Sequence, residues 1–318
     1  MTLVALSPAH VLPVAELVAT DVARLRRRIR ALPEAWTDPA HIAKVVAGLA
    51  DRGTGLVALD DGVPVAFQAA VLLDGRGGRF AYTPDVGHAA PPDLAGRVRS
   101  RLYAELADGW IRGACVEHVV TVLADDEVAL ATYARLGFGH HVVDLVADLQ
   151  PIAAGALPEG VTIRRAVPAD AGKVVDLDAG LRRHLEASPV FLRLGPQSPL
   201  EVHRRRLEDP AIATFVAERE GALVAFLRIG PCASDVATVV RDAGTASVTA
   251  AFTRLEARGS EVASHLLAAA VDWAHGEGYD RWAVDHESAN GEAARFWARH
   301  ATPAAISLSR RLAPGTVP

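Results

Sequence analysis

Thr253-Arg-Leu-Glu-Ala-Arg-Gly-Ser-Glu-Val-Ala-Ser-His-Leu-Leu267 is the stretch on which the fold turns. The run before it, Val248-Thr-Ala-Ala-Phe252, is short and apolar and predicts a strand. After it, Val262, Leu266, Leu267, Ala270, Trp273 and Ala274 recur on one helical face. Strand, tight basic loop and helix start in succession make an anion site. The first N–H groups of a helix have no partner inside it, and its dipole is positive at that end. Arg258 adds a fixed cation, and Gly259 lets the backbone come close. A pyrophosphate suits this arrangement. Glu261 works against it: a carboxylate in the first turn is favourable for the helix but competes with a phosphate for the same N–H groups and dipole.

Outward from this stretch the chain repeats itself over roughly 160 residues, too long for a solenoid period and so a domain duplication. Val4 to His10 parallels Ile163 to Asp170, each a short strand, a turn at proline and the start of an amphipathic helix, over Val14 to Arg28 and Ala171 to Glu186. Each half then has a hairpin pattern, Gly55 to Phe67 turning at Asp61-Gly62 and Thr214 to Phe226 turning at Glu220-Gly221. Each closes with helix, strand and short helix. These are expected near 93–108, 118–123 and 127–136, and again near 260–275, 281–286 and 292–299. Ala153 to Gly160, rich in Ala, Gly and Pro, is the linker, so the expected domains are 1–152 and 158–318. Antiparallel strands followed by helix–strand–helix predict an α+β fold.

Composition narrows the function. Half of the 318 residues are hydrophobic and 22% are charged, a globular composition with room for two cores. A net charge of −5 argues against a nucleic-acid surface. The basic run Arg24 to Arg30 reads as the solvated face of a helix whose other face carries Leu25 and Ile29. Cys115 and Cys232 give neither a disulfide framework nor zinc spacing, and no metal site is expected. No apolar stretch approaches the roughly 20 residues that span a bilayer, and the N-terminus lacks a signal pattern, so a cytoplasmic protein is expected.

Arg258 and Ala263 lie where the acetyl-CoA loop of the GNAT superfamily of N-acetyltransferases has its Arg and its final small residue, and Glu261 stands where that family has its central glycine. A second family pattern, Asn or Asp, then Ala, an aromatic and Leu-Gly-Phe, resembles Asp126, Ala129, Tyr133 and Leu136-Gly137-Phe138. It recurs as Asn290, Ala293 and Phe296-Trp297, with His300-Ala301-Thr302 in place of Leu-Gly-Phe. The resemblance spans nearly the whole chain, twice. It implies two tandem GNAT-like domains, each a mixed, mostly antiparallel sheet flanked by helices. It also implies acetyl-CoA as cosubstrate, a small-molecule amine as acceptor, no nucleic-acid or membrane partner, and a monomeric pseudo-dimer or a homodimer.

The halves differ in what they keep. Between Tyr82 and the next helix the first half has Pro91 and Pro92, which offer no N–H, and Asp85 and Asp93, which repel an anion, so it is expected to be degenerate. In the second half the resemblance assigns acetyl-CoA to the backbone of Ala251, Phe252 and Thr253, to the loop Arg258, Gly259, Ser260 and Glu261, and to the helix start Val262, Ala263 and Ser264. It adds Asn290 and Trp297, the latter at the position of the usual acid tyrosine. Transfer to an amine requires removal of its proton. The strand Arg281 to Glu287 ends in Asp285 and Glu287 on one face, which are candidate bases, and Ser288 is a candidate hydroxyl donor. Two readings stay open: an N-acetyltransferase with its active site in the second half, or a weakened relative that binds acyl-CoA or a metabolite as a sensing module.

Overall fold

The computed structural model describes residues 1–313. The chain forms two compact units, 1–144 with 237–240 and 303 onward, and 145–236 with 241–302.

The first unit contains β1 (Thr2–Ala5), α1 (Val11–Arg28), α2 (Pro39–Arg52), β2 (Thr54–Asp60), β3 (Val63–Gly75), β4 (Gly78–Thr83), β5 (His88–Ala89), α3 (Ala95–Arg112), β6 (Cys115–Leu123), α4 (Glu127–Arg135) and the start of β7 (Gly139–Asp148). Strands β1 to β4 are antiparallel neighbours, and β4 runs parallel to β6. Tyr103, Trp110, Tyr133 and Phe138 form the aromatic part of its core, packed with Val120. The basic run of α1 is less solvated than its composition predicts. Leu25 and Ile29 are buried, and Arg24 is held by Asp21 at 2.6 Å and Asp125 at 3.2 Å.

The second unit contains β8 (Val161–Arg165), α5 (Ala171–Glu186), α6 (Leu200–Glu208), β9 (Ala213–Arg219), β10 (Ala222–Pro231), β11 (Thr245–Thr253), α7 (Val262–Gly276), β12 (Arg281–Glu287) and α8 (Gly291–Trp297). Its strands run β12-β11-β10-β9-β8, with only β11 and β12 parallel. Helix α5 buries Val174 and Leu177 against Val216 and Phe226. It also seats on β11 at Gly180, where a Cβ would stand 2.6 Å from the Phe252 ring. Val262, Leu266, Leu267 and Val271 of α7 are buried, each worth about 1.5–3 kcal/mol against exposure. That burial, rather than its capping, holds the helix.

The domain expectation of 1–152 and 158–318 is linear, and the compact units are not. The last strand, β13 (Thr302–Arg311), pairs with β6 from Ala305↔Leu123 to Arg311↔Glu117, so its ladder belongs to the first unit. Residues 237–240 join the same unit because its carboxylates hold their backbone. Asp85 accepts from the N–H groups of Thr238 at 3.0 Å and Val239 at 2.7 Å, and Asp144 accepts from Ala237 at 2.8 Å. Residues 314–318 of the expected second domain lie outside the described residues.

Two details of β11 place the site. Its parallel register with β12 runs only from Thr245↔Arg281 to Val248↔Val284, although both strands continue. Its register with β10 slips between Arg228 and Ile229, leaving Thr249 as an extra residue. A bulge bends a strand away from its neighbour. From Thr249 on, β11 stays with β10 and parts from β12.

Candidate active site

Where β11 leaves β12, a cavity of about 720 Å³ opens within the second unit. Ala251, Phe252 and Thr253 of β11 form one wall, and Arg258, Gly259, Ser260, Glu261 and Ala263 form another. Asn290 and Trp297 close it from α8, and Leu181 and His184 from α5. The structure thus brings ten of the expected coenzyme residues together: Ala251, Phe252, Thr253, Arg258, Gly259, Ser260, Glu261, Ala263, Asn290 and Trp297.

The loop is built locally. Arg258 is extended, and Gly259 follows at φ +70°, a left-handed turn that glycine makes without strain. The Ser260 hydroxyl donates to the Ala257 carbonyl at 2.7 Å, closing the turn. No side chain caps α7, so the N–H groups of its first turn are left to other acceptors. The Arg258 Nε donates to the Thr253 carbonyl at 3.0 Å, and the guanidinium lies 5.7 Å from the centre of the Phe252 ring. Its Nη1 pairs with the carboxylate of Glu292. His184 Nε2 stands 4.0 Å from the same carboxylate.

Glu261 is the residue before α7. The Ser264 hydroxyl first, then the Gly155 N–H and the positive charges of Arg299 and His265, hold its carboxyl below the usual carboxylate range. It is therefore engaged at the helix start rather than spread over the first-turn N–H groups. Asn290 caps α8, its side chain accepting from the Ala293 N–H at 3.2 Å, while also lining the cavity. Trp297 is buried between Trp282 and Phe296, at ring distances of 6.1 and 4.7 Å.

Five expected site residues lie elsewhere. Val262 is fully buried core. Ser264 borders an adjacent cavity of about 640 Å³ shared with Gly155, Glu261 and Arg299. Asp285, Glu287 and Ser288 sit at the end of β12 and beyond, outside the lining of the larger cavity, because β12 has already parted from β11. Asp285 and Glu287 do share a face, opposite buried His286, whose Nδ1 meets the Glu287 carbonyl at 3.0 Å. Asp285 presents surface to solvent, yet protein packs closely around its carboxyl. That desolvation, then the charges of Glu287 and Asp235, pushes its pKa up to about 6.

Sequence reasoning missed Glu292, His184, Arg295 and Arg299, all of which line the cavity. Glu292 was visible only as an acidic residue in a helical first turn, an ordinary helix signal.

Residues 181–301 match the acetyltransferase (GNAT) family. The chain is a tandem GNAT-fold protein. A GCN5-related N-acetyltransferase from Sphaerobacter thermophilus superposes with a TM-score of 0.61 at 19% identity, covering 99% of this chain and 96% of that one. A tandem GNAT protein from the clavulanic acid biosynthesis pathway superposes at 0.51 and 15% identity, covering 99% of both chains. A glucosamine N-acetyltransferase region of a fungal multi-domain GH3 β-N-acetylglucosaminidase gives 0.51 at 14%, over 97% of this chain and 38% of that one. No curated protein sequence matches. The match over residues 181–301 supports acyl transfer in general. Among the described residues, no helix is long and apolar enough to cross a membrane.

In the first unit a buried polar group stands beyond the end of its own parallel pair. The parallel register of β4 and β6 ends at Thr83↔Val120. Just beyond, buried His88 meets the Thr121 carbonyl through Nε2 at 2.9 Å, and Arg99 of α3 donates to its Nδ1 at 2.6 Å. An arginine can only donate, so Nδ1 accepts and Nε2 carries the proton to the carbonyl. Arg99 also pairs with Asp126, the cap of α4, at 2.5 Å. Burial first and the Arg99 charge second lower the His88 pKa. Asp126 and Tyr133 keep the family pattern, and Asp126 is tied to this buried group through Arg99.

Proposed function

We propose that the second unit binds acetyl-CoA in the cavity beside β11 and transfers the acetyl group to an amine of a small molecule. The observation that carries this reading is the joining, in one cavity within residues 181–301, of a parted strand, an uncapped helix start and Arg258. The donor set fits the coenzyme. A pyrophosphate needs N–H groups and a cation, which α7 and Arg258 supply. The pantetheine arm needs peptide-like partners, and β11 beyond Val248 has a side without a β12 ladder. When bound, acetyl-CoA supplies an activated thioester.

The chain's own groups have the remaining tasks. Arg258 and the helix start hold negative charge. A backbone N–H of β11 near the bulge donates to the carbonyl oxygen as charge builds there. Asp285, with a pKa of about 6, is mostly deprotonated at neutral pH and is our candidate to take the amine proton, directly or through water. Glu287 and Ser288 stand next to it as support. We read the first unit as a domain that has given up coenzyme binding, with Arg99 and His88 buried beyond the end of its parallel pair and Pro91 and Pro92 without N–H groups ahead of α3.

Calorimetry with acetyl-CoA on the full chain tests the reading. Binding is expected, and Arg258→Ala should weaken it by about 1.5–3 kcal/mol, the size of a lost charge-assisted hydrogen bond. Equal affinity in that variant would remove the claim. A second reading, coenzyme binding without turnover, is favoured by the buried Trp297 where a tyrosine would supply a proton. Thiol release from acetyl-CoA across a panel of amines separates the two.

A further inference from the structure

Beneath α6 lies a group of polar side chains that the coenzyme cavity does not use. His203 of α6 is 1% exposed, and neither ring nitrogen has a hydrogen-bond partner. Its Nε2 stands 3.9 Å from the Asp178 carboxylate of α5, beyond hydrogen-bond range. Arg228 of β10 donates from Nε to the Thr249 hydroxyl at 2.9 Å. Among the described residues its two Nη groups have no partner. Arg206 adds a third basic group to the set, and Asp178 is the one carboxylate acting on it. The exposed neighbours Arg204 and Arg205 are already paired with Glu208 and Glu201. Desolvation and the Arg206 charge together bring the Arg228 guanidinium down to about 10.

Leaving the buried ring nitrogens of His203 unmatched is costly, and such groups call for a ligand or ordered water; Arg228 is only half-buried, so its Nη groups are open to a solute. The place is informative. Arg228 stands across from Ala250 and holds Thr249, the bulge residue at which β11 parts from β12. An amine that is to meet an acetyl group beside β11 must come near this point. A guanidinium with both Nη groups free matches a carboxylate in a two-pronged pair, and an adjacent imidazole N–H can add a third bond. Two arginines against one aspartate, with a neutral His203, leave about one positive charge. That balances a carboxylate and falls short of a doubly charged phosphate.

We propose that Arg228 and His203 bind a carboxylate carried by the acceptor, so that the acceptor is an amino acid or a similar small molecule with an amine and a carboxylate. This rests on the acetyl-transfer reading and deepens it.

The test uses the full chain in two arms. In the first, histidine-labelled protein without coenzyme is titrated with propionate, propionamide and inorganic phosphate. The His203 ring resonance should move saturably with propionate and hardly with the amide, and the response should vanish in Arg228→Gln. No response to propionate, or an equal one to propionamide or phosphate, overturns the proposal. In the second arm, acetyl transfer is measured on amino acids, their carboxamides and the matching decarboxylated amines. Amino acids should be favoured in kcat/KM by about 10-fold or more, the scale of lost charge-assisted bonds. Arg228→Gln should erase that preference, mainly through KM, and Arg228→Lys should restore part of it. A preference for the neutral amines also overturns the proposal. Unchanged acetyl-CoA affinity in Arg228→Gln shows that the unit still folds. Failure of acetyl-CoA to bind the wild type would instead sink the acetyl-transfer reading, and the propionate arm would still judge the anion site.

Discussion

Glu292→Gln should tighten acetyl-CoA binding. In the structure the Arg258 guanidinium, which the proposed function assigns to the pyrophosphate, is already paired with Glu292. The pair is 26% and 53% exposed, so breaking it costs about 0.2–1 kcal/mol, as for other solvated pairs. The carboxylate then remains beside the incoming phosphates. At about 6 Å, with an effective dielectric between about 20 and 80, that repulsion is about 0.7–3 kcal/mol per charge, and half-exposure favours the lower end. Together the substitution should gain about 1–2 kcal/mol, or about 5- to 30-fold in Kd. Gln keeps the shape of the side chain and removes its charge. Calorimetric titration of the full chain with CoA at low and at high salt measures the gain, which should shrink to a few-fold or less at about 0.5 M because exposed charges are screened. Weaker or unchanged binding at low salt would refute the reasoning. It would mean that Glu292 aims Arg258 at the ligand, or that the phosphates do not lie there.

Three further outcomes follow from the geometry. The rate of acetyl transfer should rise with pH through about 6 and level above it, as Asp285 loses its proton, and Asp285→Asn should abolish that limb; an unchanged profile in the variant would assign the base elsewhere. Stability of the first unit should fall as pH drops from about 6.5 toward 4. Burial, then Arg310, pushes His118 down to about 4, and His88 is lowered too, so both stay neutral when folded; the unfolded rings bind protons in that window and favour unfolding, by about 2–4 kcal/mol in all, while above it they contribute no slope. Urea unfolding at pH 7.5 and 5 reads this, and equal or greater stability at pH 5 would contradict it. Gly180→Ala should cost about 1–3 kcal/mol and weaken coenzyme binding, because its Cβ meets the Phe252 ring at 2.6 Å and must push that wall of the cavity; a denaturation midpoint at or above wild type would show that α5 yields instead.

Much of the architecture was legible because it is local. The paired hairpins turn at Asp61-Gly62 and Glu220-Gly221, and all four residues have positive φ, the tight turn that such pairs signal. The helix expected from Ala171 to Glu186 has those bounds. The strand, loop and helix from Thr245 to Gly276 follow a period and a glycine that any window of the chain displays. Helices α2 and α6 hold corresponding places before the two hairpins, and neither was placed from the sequence repeat.

Pairings across the chain were not legible. Periodicity tells which side of an element is apolar, but not which distant charge will meet it. Arg258 and Glu292 are 34 positions apart, and Arg99 meets His88 and Asp126 from 11 and 27 positions away. Composition does not distinguish the basic residues of His203 to Arg206, yet packing on α5 buries His203 and leaves Arg204 and Arg205 outside. The last strand repeats the pattern of its own half and pairs with β6, since a strand's alternation fixes which of its faces is buried and leaves open which edge it joins. By itself the sequence determined most of the elements, the strand, loop and helix succession around Arg258, and the family resemblance. Tertiary structure alone decided which charges stand free in the second unit and which are buried in the first, because that depends on distances no local pattern records.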